Sequence, residues 1–134
     1  MSQHLTVLYA DDDIDDKVWV SDACKNVNGS LEMAFVENGK QVLAYLQSHC
    51  PPSLIVLDLN MPELDGRQTL KAIKDNPSFQ HIPVAVVTTS SSRIDREVCQ
   101  KLGAALFLTK PDTYTEWQDI IRKLLSQLQA DRVK

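Results

Sequence analysis

Apolar and polar positions along this chain fall into a block that recurs five times. Each block is a short apolar run, a polar turn, and a longer stretch with apolar residues every three or four positions. The short apolar runs read as strands, the uninterrupted Leu54–Leu57 as one buried on both faces, and the longer period reads as amphipathic helix. The pattern predicts strands at Leu5–Ala10, Leu31–Val36, Leu54–Leu57, Val84–Val87 and Ala104–Leu108. After the first strand a helix is expected to about Val27, with Asp13 as its cap and Asp15 and Asp16 in a first turn where the helix dipole favours negative charge. Asn28-Gly29 is expected to stop it. Within it Trp19, Val20, Ala23 and Val27 form one stripe, assigned to the core, while Ile14, Val18 and Ser21 form another, assigned to an exposed edge.

The remaining helices carry their own start and stop signals. Asn38 caps a second helix with Val42, Leu43, Tyr45 and Leu46, which Cys50-Pro51-Pro52 ends. Pro62 blocks an early start of the third, Asp65 caps it, Leu70 and Ile73 mark its apolar side, and it closes before Asn76-Pro77. The polar run Thr88 to Ser92 leads into a fourth helix reaching about Leu102, where Gly103 stops it. The last helix places Trp117, Ile120, Ile121, Leu124, Leu125 and Leu128 on one stripe, and Gln129 to Lys134 are expected to fray. Five strand–helix pairs in strict alternation predict an α/β fold, a doubly wound five-stranded parallel sheet with helices on both faces as a three-layer sandwich. The expectation is one domain over 1–134, with a core from about 5 to 128 and no output domain.

Composition narrows the class. A formal charge of −4 and a pI near 5.2 argue against nonspecific binding to nucleic acid or an anionic membrane. Three cysteines, Cys24, Cys50 and Cys99, lack metal-ligand spacing and read as reduced thiols. No basic segment precedes the first acids and no apolar run is long enough to span a bilayer, so a cytoplasmic protein is expected.

The candidate chemistry lies at the ends of the strands, where sheets of this kind bind ligands. Strand one ends in Asp11 and Asp12, strand three in Asp58, strand four in Thr88 and strand five in Lys110. If the strand order is 2-1-3-4-5, three carboxylates converge on one crevice, with a hydroxyl and an ammonium beside them. Close carboxylates repel unless a cation holds them, and an all-oxygen set with room for water suits Mg2+. A metal beside Thr88 and Lys110 makes a receptacle for a phosphoryl group. His4, His49 and His81 fall away from the strand ends, and no glycine-rich phosphate loop is present. An activated donor must therefore bring the phosphoryl group, and an aspartate can accept it as nucleophile.

The acidic pair in LYADDD, the DLNMPELDG loop and the VVTTS and FLTKP strand ends together resemble the receiver domain of response regulators, the CheY-like family, from Leu5 to about Leu128. The resemblance implies a flavodoxin-like sheet ordered 2-1-3-4-5 and a phosphoacceptor at Asp58. It implies Mg2+ held by Asp12 and Asp58 directly, by Asp11 through water and by a backbone carbonyl of Asn60. Thr88 and Lys110 correspond to the phosphoryl-binding pair, Phe107 to the switch aromatic, and Lys110-Pro111 to a cis peptide bond. The implied partners are a histidine kinase or histidine phosphotransfer protein as donor, and a downstream protein or a second copy of the chain as output. The output contact would use the surface of the fourth helix, fifth strand and last helix, after Thr88 is drawn inward and Phe107 rotates in. Such a domain is a signalling module that assists its own phosphorylation rather than an enzyme.

Plainer readings stand beside these. Asp13, Asp15, Asp16 and Asp65 read as cap and dipole residues, Ser90 to Ser92 as a capping loop, and Phe107 as a core aromatic. Two other functions share the residues. One is a Mg2+-dependent aspartyl phosphatase of the haloacid dehalogenase type, suggested by the acid-x-acid pattern of Asp11 to Asp13 but opposed by Asp15, where Thr or Val is expected, and by the short chain. The other is a phosphorylation-independent scaffold, which usually lacks one of the acids or the lysine.

Overall fold

The structure, a computed structural model, describes residues 5–27 and 31–133. Ten elements alternate: β1 (Leu5–Ala10), α1 (Ile14–Val27), β2 (Leu31–Val36), α2 (Gly39–Ser48), β3 (Leu54–Leu57), α3 (Gly66–Asp75), β4 (Val84–Thr88), α4 (Arg93–Leu102), β5 (Leu106–Thr109) and α5 (Tyr114–Val133). All strand pairs are parallel, and the sheet is ordered β2-β1-β3-β4-β5. The reversal of strand order between β1 and β3 opens a crevice beyond their carboxyl ends.

Side chains of successive strand residues point to opposite faces, so each central strand feeds two cores. Leu54 and Val56 of β3 join Val20 and Ala23 of α1 and the Trp117 to Leu128 stripe of α5. Ile55 and Leu57 join Val42, Leu46, Leu70, Ile73 and Cys99 of α2, α3 and α4. Burial on both sides is what makes β3 four apolar residues in a row rather than an alternating strand.

The helix signals act as expected at most ends. Asn38 Oδ1 accepts from Gln41 N at 2.9 Å, and Asp65 and Gln68 form a reciprocal capping box. Asp13 Oδ1 accepts from Asp15 N at 2.9 Å. Gly103 closes α4 at φ 105°, a left-handed conformation that suits glycine. The stop expected at Asn28-Gly29 lies outside the described residues.

Four expectations are corrected. β5 begins at Leu106, not Ala104, because the Ala104 amide is taken by the end of α4, donating to Cys99 O at 3.0 Å. β4 gains Thr88, which pairs with Thr109 of β5. Trp19 is 40% exposed and leans on Tyr114, with ring centroids 5.6 Å apart, while Cys24 takes the core position. The buried set Val20, Ala23 and Cys24 has helical i, i+3, i+4 spacing, which leaves Trp19 at the border of the face. Finally, α5 continues through Val133, since Gln129 to Val133 contains neither Gly nor Pro to stop it. Among the described residues no helix is long and apolar enough to cross a membrane.

Candidate functional site

The sheet ladder itself aims the acidic side chains. The Asp11 amide donates to Val36 O at 3.0 Å and the Asp58 amide to Ala10 O at 3.1 Å, so both backbones are fixed one residue past the regular strands. On the far side of Asp58 the chain must turn back tightly into α3. Gly66 N donates to Leu59 O at 3.1 Å, and a Cβ on Gly66 would lie 2.4 Å from the Asp58 carbonyl oxygen. Gly66 is therefore a site-shaping residue that the motif reading passed over as the last letter of DLNMPELDG. Its signal was a glycine at N1 directly after a cap, where nothing about helix propensity requires one.

Carboxylate oxygens of Asp11, Asp12 and Asp58 lie within 4.8 Å of one another. Lys110 reaches into the same cluster, its side chain only 8% exposed, with Nζ 2.8 Å from Asp11 Oδ2, 2.6 Å from Asp16 Oδ2 and 2.9 Å from Asp58 Oδ2. Asp16, read from the sequence as a dipole residue, is thus a member of the site. It lies in the first turn of α1, and because its partner is 94 residues away the local sequence carried no signal for the contact. The remaining contacts are local: Asp11 Oδ1 accepts from Asp13 N at 3.0 Å, and Asp58 Oδ1 from Asn60 N at 3.3 Å.

Charge in this crevice is unbalanced. Burial pushes the Asp11 carboxyl up to about 6, against the lowering effect of Lys110 and of the Asp13 amide. Burial alone would lower the Lys110 ammonium, but its contacts with Asp11, Asp16 and Asp58 outweigh this and raise it above its ordinary value. The Lys110–Asp11 contact is a close ion pair that lies off the hydrogen-bond direction, so the fully buried Asp11 Oδ2 has no directed donor. A buried acceptor with spare lone pairs, in an all-oxygen set of three carboxylates, fits a hard divalent cation. Tyr9 adds a second orphan: its hydroxyl is buried without a partner, and burial, then Asp11, Asp16 and Asp58, raise it well above the ordinary phenol value.

Thr88 is fully buried at the end of β4, where its Oγ1 accepts from Ser90 N at 3.4 Å and its carbonyl accepts from Lys110 N at 2.7 Å. Asn60 is exposed and meets Asp58 through its amide. Phe107 does not enter the crevice. It lies in the α2–α3–α4 core, already buried, with Arg96 of α4 stacked 4.9 Å from its ring centroid and donating to its carbonyl at 3.4 Å. The Lys110-Pro111 bond is trans, since no cis peptide occurs among the described residues, correcting the expected cis form; trans is the isomer favoured by roughly 0.5–1 kcal/mol.

The loop after Thr88 is tied down separately. Ser92 caps α4, accepting from Asp95 N at 3.3 Å. Asp95 Oδ2 accepts from Ser90 Oγ at 2.7 Å, and its Oδ1 accepts from Arg67 Nε of α3 at 3.2 Å and from the Arg67 Nη2 group. The Ser90 bond and Arg67 hold the Asp95 carboxyl below its ordinary value.

The chain is similar to known proteins in sequence and fold. Residues 7–122 match the response regulator receiver domain. Response regulator Rcp1 of Synechocystis sp. is 36% identical over 110 residues, covering 78% of this chain and 75% of Rcp1. Response regulator Rre1 of the same organism is 31% identical over 130 residues; these cover 97% of this chain, which spans 55% of Rre1. Among solved structures, the phosphorylated cyanobacterial phytochrome response regulator RcpA superposes with a TM-score of 0.85 at 29% identity over 91% of both chains. The Mn(2+)-bound form of response regulator Rcp1 superposes at 0.80 with 32% identity, over 87% of this chain and 91% of that one. With its sheet order, its strand-end acids and its lysine in place, this chain belongs to the response regulator receiver domain family of two-component signalling.

Proposed function

We propose that Asp58 is the phosphoacceptor of this receiver domain and that the protein passes a signal on without catalysing turnover of a substrate of its own. The observation that carries this is the placement of the Asp58 carboxylate at a strand end, against Asp11 and Asp12 on one side and 2.9 Å from the Lys110 ammonium on the other. An Asp58 oxygen attacks phosphorus and forms the P–O bond. The bond from phosphorus to the donor's imidazole nitrogen, or to the carboxyl oxygen of acetyl phosphate, breaks with its electron pair leaving on the donor. Lys110 neutralises one equatorial oxygen, and the Thr88 hydroxyl, whose proton is not used by Ser90, donates to another. Mg2+, held by Asp11, Asp12, Asp58 and the Asn60 carbonyl, would supply charge neutralisation that Lys110 alone cannot.

The donor in this reading is a cytoplasmic histidine kinase or phosphotransfer protein. It docks on the edge of α1, where Ile14 is 72% and Val18 57% exposed. The output surface is α4, β5 and α5, because the Thr88 loop leads into α4 and Arg96 links α4 to Phe107. Since Phe107 is already buried, switching in this chain acts on its contact with Arg96 rather than on inward rotation. The test is incubation with Mg2+ and acetyl phosphate, then intact mass and peptide mapping. One phosphoryl adduct on Asp58 is expected; an adduct on Asp11 would point to phosphatase chemistry, and no adduct would remove the phosphoacceptor reading.

A further inference from the structure

Lys110 carries one positive charge and three hydrogen-bond donors, and it faces three carboxylates on three different segments. The partners are not equivalent. Asp11 and Asp58 belong to the set whose oxygens converge within 4.8 Å, together with Asp12, and so are the groups a cation would draw on. Asp16 stands outside that set, on the first turn of α1, yet makes the shortest contact, 2.6 Å, and a directed hydrogen bond. Its side chain is also more open to solvent than those of Asp11 and Asp58, so Lys110 is drawn towards the outer side of the cluster. The contact to Asp11, in comparison, lacks hydrogen-bond alignment.

We propose that Asp16 is a positioning residue for Lys110: it holds the ammonium to one side, leaving Asp11 and Asp58 able to take a divalent cation while Lys110 stays in reach of Asp58. Without Asp16 the full charge of Lys110 falls on Asp11 and Asp58, where it competes with the cation for the same oxygens. With Asp16 present, Lys110 keeps one donor there and has two left for Asp58 or for a phosphoryl group on it. The link joins α1 to the β5–α5 loop and is made by residues 94 positions apart. The inference rests on the phosphoacceptor reading for its bearing on transfer, but the coupling between Asp16 and Lys110 can be measured with no phosphodonor present.

The experiment is a Mg2+ titration of the full chain, followed by backbone amide NMR, on wild type, Asp16→Asn, Asp15→Asn, Lys110→Met and the Asp16→Asn/Lys110→Met pair. Asp15→Asn removes the same charge one residue away, at a side chain with no contact to Lys110, and so measures the general field effect. Asp16→Asn is expected to weaken Mg2+ binding about tenfold, against less than about threefold for Asp15→Asn, whose contribution solvent screens. In the Lys110→Met background the Asp16→Asn effect should shrink to the size of the Asp15→Asn effect, as coupled partners require. Equal losses from Asp15→Asn and Asp16→Asn, or an undiminished Asp16 effect without Lys110, would overturn the proposal. Should Lys110→Met not fold, the comparison of the two aspartates alone decides it. An acetyl phosphate assay on the wild type keeps the two ideas apart. Failure of the adduct with the coupling intact removes the phosphoacceptor reading and leaves the positioning role, whereas an adduct without coupling does the reverse.

Discussion

Beyond β1 and β3 a single ammonium, Lys110, faces Asp11, Asp16 and Asp58, with Asp12 close by. Between α3 and α4 a single guanidinium, Arg67, faces one carboxylate, Asp95, whose second oxygen is held by Ser90. Both clusters set one cation against aspartate, but in the α3–α4 tie every charge is matched and both oxygens of Asp95 are used. In the crevice, anions outnumber the cation, burial is deeper, and one carboxylate oxygen and one phenol have no directed partner. Uncompensated buried charge is costly in a medium of low effective dielectric, and a bound cation or phosphoryl group is what relieves it. The matched cluster ties α3 to α4; the unmatched one fits a divalent cation. That difference is also why the metal-free crevice is expected to work against stability while the tie supports it.

The sharpest break of the comparison is Asp58→Asn. It keeps the volume and removes the nucleophile, so the adduct from acetyl phosphate should vanish from the mass spectrum while the circular dichroism of the protein is unchanged. Next in size is Asp12→Ala, which takes one anion from the cluster. Mg2+ affinity should fall by more than about tenfold, and the metal-free protein should melt at the same temperature or higher, because like-charge repulsion is reduced. A clear drop in melting temperature would mean that the carboxylates are matched after all.

The tie should respond in the opposite sense. Asp95→Ala removes a satisfied carboxylate, taking the ion-pair partner from the Arg67 guanidinium and the acceptor from the Ser90 hydroxyl. Stability measured by urea should fall by about 1 kcal/mol, with amide exchange accelerating from Thr89 to Asp95. Because the folded-state carboxyl of Asp95 lies below its ordinary value, the tie contributes fully at neutral pH and is lost as pH falls below about 4. The Arg67 Nε–H resonance should therefore hold its shift from pH 7 to about 5 and move only in the acid range. The smallest effect is expected at Tyr9. Tyr9→Phe deletes a buried hydroxyl that has no partner, so stability should rise slightly, by up to about 1 kcal/mol. A loss of stability would show that the hydroxyl is bonded to a group of the crevice.

Much of the fold was legible because its signals are short in range. A cap such as Asn38 or Asp65 bonds an amide three residues away, and the glycine at 103 needs only its own backbone angle, so the sequence window contains both partners. The continuous apolar runs of β3 and β4 match strands buried on both faces, whereas β5, at the edge of the sheet, is only partly buried despite its run, and the residues at the strand ends already point to Asp11, Asp12, Asp58, Thr88 and Lys110. The places where the reading missed are those where a residue's environment is supplied by distant chain. Ala104 looks like strand but lends its amide to α4, and Trp19 looks like core but falls at the border where α1 meets α5. The burial of Phe107 under Arg96 depends on how α4 lies across β5. Asp16 was the costliest miss, because as a charge in the first turn of a helix it has a sufficient local explanation. Periodicity and capping are properties of a few neighbouring residues and are written in the sequence. Which carboxylate an ammonium 94 residues away will choose is settled only when the sheet gathers the carboxyl ends of β1, β3 and β5 at one edge, with β4 between the last two.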